Sequence, residues 1–153
     1  ACGVSYEGLA WVTGATLLSA GAMPSKPSLL LAGLYSASAH GIMTLNDFKA
    51  IEGDRQMGVR SLPVQLGAKR AAQVSAVLML APQVIVLVLL LSWDKSSYAA
   101  AIGALMTGQM FLLRDFLKRP IEKALFYSGF GVPLLVSGMM VAAFAVNGMG
   151  IES

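Results

Sequence analysis

Charge is what this sequence has least of. Only 12% of its 153 residues are Asp, Glu, Lys or Arg, while 56% are hydrophobic. A water-soluble domain carries about 25% charged residues. A chain with half that share cannot clothe a globule in solvated surface, which excludes a soluble enzyme and a disordered protein. Cysteine is nearly absent as well: Cys2 stands alone, so there is no disulfide framework, and its place in an apolar segment reads as packing. No basic stretch precedes a short apolar core with a cleavage site, so no secretory signal peptide is read. The first residue is Ala rather than Met, which points to a processed or partial product. The alternating apolar and polar pattern of a transmembrane barrel is also missing. A net charge of +3 is compatible with nucleic acid. The basic residues, however, fall in clusters between apolar runs, a pattern that reports orientation in a membrane. The lipid bilayer, not nucleic acid, is the expected surroundings.

What is present is apolar length. A helix crosses a bilayer with about 20 mostly apolar residues, and five segments approach this, at about 3–22, 28–47, 70–91, 97–114 and 124–147. Helices satisfy every backbone polar group internally, as hydrocarbon demands. The expected fold is an all-α integral membrane protein with five transmembrane helices in one domain. Lys49, Arg55, Arg60, Lys69 and Arg70 lie between the second and third segments. Arg114, Lys118, Arg119 and Lys123 lie between the fourth and fifth. These are nine of the eleven basic residues, and the other two, Lys26 and Lys95, fall in the opposite loops. The positive-inside rule then puts the nine on the cytoplasmic side.

One stretch, the motif loop at 46–67, carries chemistry. Asp47, Lys49, Glu52, Asp54, Arg55 and Arg60 crowd into fourteen residues at the end of an apolar run. Should the helix continue, Asp47 and Asp54 share a face about 10 Å apart along the axis. That is too far for both to bind one Mg²⁺ at about 2.1 Å. Alternatively, Gly53 ends the helix and folds Asp54 back. Carboxylates beside Lys and Arg suit a metal–diphosphate ligand, because Mg²⁺ is usually held by one or two carboxylates plus phosphates and Arg meets phosphate with bidentate geometry. The competing reading is a solvated interfacial loop whose acids and bases pair among themselves.

The run resembles the second aspartate-rich motif of the UbiA-type intramembrane prenyltransferases, closest to their chlorophyll and bacteriochlorophyll synthase branch. The matching blocks are Asn46–Lys49, Glu52–Arg55, Gly58, Ser61–Val64 and Gly67. Weaker likeness extends through Ser5–Tyr6, Phe116–Lys118 and the last segment. The resemblance implies the C-terminal part of a nine-helix bundle about twice this length, and a first aspartate-rich motif of the Asn-Asp-x-x-x-Asp type that does not occur before residue 46. It implies esterification of the propionate of bacteriochlorophyllide or chlorophyllide by geranylgeranyl or phytyl diphosphate, with Mg²⁺ as cofactor, in a bacterial inner, photosynthetic membrane. Asp47 and Asp54 would hold the metal, with Lys49 and Arg55 also catalytic. Asn46, Glu52, Arg60, Arg114, Tyr6 and His40 would contact the substrates. For His40 the alternative is a packed histidine bonded to a neighbouring helix; for Arg114, a topology signal; for Tyr6, an interfacial anchor. Glu7, inside a span, should face the bundle or the interface. A quinone- or haem-type sibling with the same metal chemistry and a non-enzymatic membrane subunit are the other readings.

Overall fold

The computed structural model describes residues 2–18 and 21–147, with the backbone alone at 2–6 and 18. Six helices follow one another: α1 (Cys2–Leu18), α2 (Lys26–Gln56), α3 (Leu62–Leu66), α4 (Ala68–Ser92), α5 (Ser96–Lys118) and α6 (Pro120–Val146). The described residues form no strand. Helices α2, α4, α5 and α6 are long and apolar enough to cross a membrane. They coincide with the second to fifth expected segments. The described part of α1 has 17 residues, about 25 Å of helix. The outside of the bundle is oily: Val77, Val84, Val88, Phe111, Leu125, Phe130 and Phe144 are all exposed. An apolar exterior of this extent belongs against lipid. The molecule is an all-α membrane protein.

Helix starts follow local chemistry. Ser25 caps α2 by accepting a hydrogen bond from the Ser28 amide, and Pro27 sits in the first turn, where a missing N–H costs nothing. Helix α4 runs through Pro82 without ending, as the apolar residues on both sides predict.

The end of α2 differs from expectation. The sequence places it near residue 47; it lies at Gln56. Falling hydropathy after Leu45 marks where a helix leaves lipid, not where it must stop. The stop is set by Gly58, at φ 68°. The Gly58 amide donates to the Arg55 carbonyl at 3.3 Å, and the Val59 amide to the Asp54 carbonyl at 2.8 Å. This pair of bonds around a left-handed glycine is a Schellman cap. Gly53 is an ordinary helical residue. Of the expected 46–67 loop, residues 46–56 are therefore helix and 62–66 form α3.

Helix α2 is the hub, packed against α1, α3, α4 and α6, while α5 packs against α4 and α6. One apolar core gathers Leu45, Phe48, Met79, Phe116 and Tyr127 at the motif end. A second gathers Leu31, Tyr35, Val86, Ile102 and Ala142 at the far end. The α2–α4 crossing is tight: a Cβ at Gly41 would stand 2.6 Å from Met79 Cγ and 2.8 Å from the Ser75 carbonyl oxygen. Small residues at such crossings let backbones approach. Gly41→Leu is expected to cost about 1–3 kcal/mol, the usual penalty of overpacking. A thermal melt of the detergent-solubilised protein indistinguishable from wild type would contradict that close contact.

Candidate functional site

Because α2 continues as a helix, the motif is laid out by the helical period of about 100° per residue. Asp47 and Asp54, seven residues apart, share one face with His40. All three are half-buried. Lys49 stands about 200° around the axis from Asp47, Glu52 about 140° and Arg55 about 80°. The acids and bases of the motif thus divide between two sides of α2, with Arg55 nearest the boundary.

The second side forms a pocket of about 400 Å³, lined by Phe48, Lys49, Ile51, Glu52 and Arg55 of α2, Pro63 of α3, Ala68 of α4 and Ile121 of α6. Its floor is apolar and its rim is charged. Pro63, Ala68 and Ile121 escape a sequence reading because they come from three other elements. Only Pro63, within the Ser61–Val64 block, lay in a stretch already singled out.

The motif's acids and bases do not neutralise one another. Among the described residues the one ion pair is Arg119–Glu122, at 3.6 Å and exposed. Glu52 Oε1 accepts instead from Gln56 Nε2 at 3.3 Å. The self-paired loop weighed from the sequence is not what the chain forms. Lys49, Arg55 and Arg60 remain exposed and available to an anion.

Asp47 and Asp54 put two half-buried carboxylates on one face of α2, a placement that favours a cation beside them. Two carboxylates about 10 Å apart cannot grip one ion between them. No group of three or more His, Cys, Asp or Glu gathers among the described residues. This donor set does not form a closed protein cage. It suits an ion held by a carboxylate and completed by waters and phosphate oxygens, which is how Mg²⁺ is usually bound.

The remaining expected residues are placed as follows. Asn46 is exposed beside Asp47, and Arg60 is exposed in the turn after α2. Arg114 lies exposed near the C-terminal end of α5, outside the lining of the pocket. No described side chain bonds the His40 ring, and its backbone carbonyl accepts from Thr44 Oγ1 at 3.0 Å. Glu7 is exposed on α1. The Tyr6 side chain falls outside the described residues.

Comparison with known proteins identifies the family. The UbiA prenyltransferase family matches residues 2–132. The chain is 53% identical over 146 residues to the bacteriochlorophyll synthase 33 kDa chain of Cereibacter sphaeroides, covering 95% of this chain and 48% of that one. It is 39% identical over 143 residues to the 34 kDa chain of Chloroflexus aurantiacus, covering 94% and 45%. It is 37% identical over 148 residues to the chloroplastic chlorophyll synthase of Avena sativa, covering 96% and 38%. The chain spans about half the length of the bacterial relatives it matches. No solved structure matches it. With the family covering most of its length, the chain belongs to the UbiA prenyltransferases.

Proposed function

We propose that this chain is the C-terminal part of a membrane prenyltransferase that esterifies the propionate of bacteriochlorophyllide or chlorophyllide with geranylgeranyl or phytyl diphosphate. A propionate oxygen bonds to C1 of the isoprenoid. The bond from C1 to the diphosphate oxygen breaks, and diphosphate leaves with the electron pair. One observation carries the reading: Asp47 and Asp54 share a face at the end of a membrane helix, in a chain 53% identical to a bacteriochlorophyll synthase chain.

A carboxylic acid with a pKa near 4 is already ionised at neutral pH, so the nucleophile needs no strong base. The difficulty lies in the leaving group. Mg²⁺, when bound, offsets charge developing on the diphosphate. Asp47 and Asp54, with Asn46 beside them, would hold the cation that accompanies the diphosphate. Arg55, at the boundary between the two sides of α2, takes the phosphate oxygens in bidentate fashion. Lys49, Glu52 and Arg60 shape the charged rim, and Arg114 adds positive potential from α5. His40 and Tyr6 contact the tetrapyrrole. The basic clusters favour a cytoplasmic location for this end, in a bacterial inner, photosynthetic membrane. A first aspartate-rich motif, on residues N-terminal to this chain, completes the site.

The test uses the full-length protein in membranes, offered each tetrapyrrole with each diphosphate. The expected result is Mg²⁺-dependent ester, formed faster with bacteriochlorophyllide. Prenylation of a quinone precursor in place of either tetrapyrrole would move the assignment to the quinone-type sibling. Failure to bind isoprenoid diphosphate would leave a non-enzymatic membrane subunit.

A further inference from the structure

Amide side chains are costly inside membrane helices unless they bond across to a neighbouring helix. Two stand completely buried in this bundle, Gln83 on α4 and Gln109 on α5. Gln83 Nε2 donates to the Met79 carbonyl at 3.0 Å and to Gln109 Oε1 at 2.8 Å. Gln109 Nε2 donates to the Tyr127 hydroxyl on α6 at 2.9 Å. From there the line continues through rings. Tyr127 stacks on Phe116, centroids 5.3 Å apart and planes at 22°. Phe116 meets Phe48 edge-on at 5.5 Å and 78°. Tyr127 and Phe116 are also sealed from the surface, and Phe48 is buried. Phe48 is the chain neighbour of Asp47 and lines the motif pocket. Gly131 makes the room: a Cβ there would stand 2.5 Å from the Tyr127 ring.

We infer that Tyr127 and Phe116 are positioning residues for the Asp47 end of α2, anchored by Gln83 and Gln109. In hydrocarbon the two amides have no water to turn to, so these three bonds are held, while Gln83 Oε1 stays buried with no partner among the described residues. They fix the Tyr127 phenol, and the two ring contacts carry that constraint to Phe48. Phe48 in turn fixes the rotation of α2 at the level where the carboxylates project. A slip of one residue would carry Asp47 about 100° around the axis. The consequence for metal affinity rests on the proposed role of Asp47; the consequence for α2 itself does not.

Three variants of the full-length chain test this. Tyr127→Phe keeps the stack and removes the acceptor for Gln109. Phe116→Leu breaks the ring contacts. Tyr35→Phe is the control: it removes an equally buried tyrosine bond, from Tyr35 Oη to the Gly138 carbonyl at 3.2 Å, in the far-end core. Two readouts are taken, amide hydrogen exchange over residues 46–56 and Mn²⁺ affinity by electron paramagnetic resonance. Tyr127→Phe and Phe116→Leu should each speed the exchange and raise the Mn²⁺ dissociation constant about threefold to tenfold, the scale of one lost hydrogen bond or ring pair. Tyr35→Phe should lower the melting temperature comparably and move neither readout. Should Phe116→Leu fail to fold, Tyr127→Phe decides alone. Wild-type exchange over 46–56 in the Tyr127→Phe protein, or an equal change in Tyr35→Phe, overturns the inference. Mn²⁺ binding that is absent from wild type, or unchanged in Asp47→Asn, refutes the metal role instead, and the exchange data still judge the relay.

Discussion

Asp47→Asn and Asp54→Asn, made in the full-length chain, are each expected to lower prenyl transfer by about a hundredfold or more. Removing one preorganised electrostatic group from an active site typically costs roughly 10²–10³ in rate. Asparagine keeps the shape and removes the charge that attracts a cation. The fold should tolerate both changes. The two carboxylates are half-buried, make no ion pair among the described residues, and repel each other. Melting temperatures should therefore stay near wild type. With both residues acting on one cation-bearing ligand, as proposed, the double variant should be little worse than either single one. Raised Mg²⁺ should recover part of the Asp47→Asn loss if that loss lies in binding. Ester formation within a few-fold of wild type in both single variants would remove the carboxylates from the chemistry.

The second large effect concerns the 153 residues expressed alone, which should form no ester at all. The reason is geometric. Two carboxylates about 10 Å apart on one helix hold at most separate ions, and no third His, Cys, Asp or Glu joins them among the described residues. The remaining charge on a diphosphate then requires ligands from elsewhere. Co-expression with the N-terminal portion of a full-length relative should restore Mg²⁺-dependent ester formation to the reassembled complex. Turnover by the purified 153-residue chain at a rate comparable to the intact enzyme would refute the need for a second motif.

The expectations that succeeded and those that missed have different physical roots. Four membrane helices were legible because hydropathy over 20 residues is a strong signal, and α4, α5 and α6 end within four residues of expectation. The end of α2 was not, because hydropathy falls at the bilayer surface whether or not the helix goes on. Gly53 and Gly58 are equally glycine in the sequence; only the bonds of the Gly58 and Val59 amides tell which one stops the helix. That misplaced end hid the division of the motif. Read as a loop, Lys49 and Arg55 stand near Asp47; read as a helix, Lys49 turns to another side. The Gln83–Gln109–Tyr127 line was half visible. An amide within an apolar run is conspicuous, but its partners lie 26 residues on and then another 18, and nothing local announces them.

The length of α2 has a consequence for how the work is divided by depth. Its 31 residues extend about 46 Å at 1.5 Å per residue, against a hydrocarbon layer of about 30 Å. The surplus exceeds the oil's thickness, and Asp47 to Gln56 lie at that end of the helix, beyond the last strongly apolar turn. An isoprenoid diphosphate is itself split in this way, with a greasy tail and a multiply charged head. Under the proposed function, a head held at this height leaves the tail dissolved in the membrane, and the head need not shed its water to enter lipid. On that reading the membrane is the reservoir of one half of the reactant, and the helix sets the height at which the other half is met.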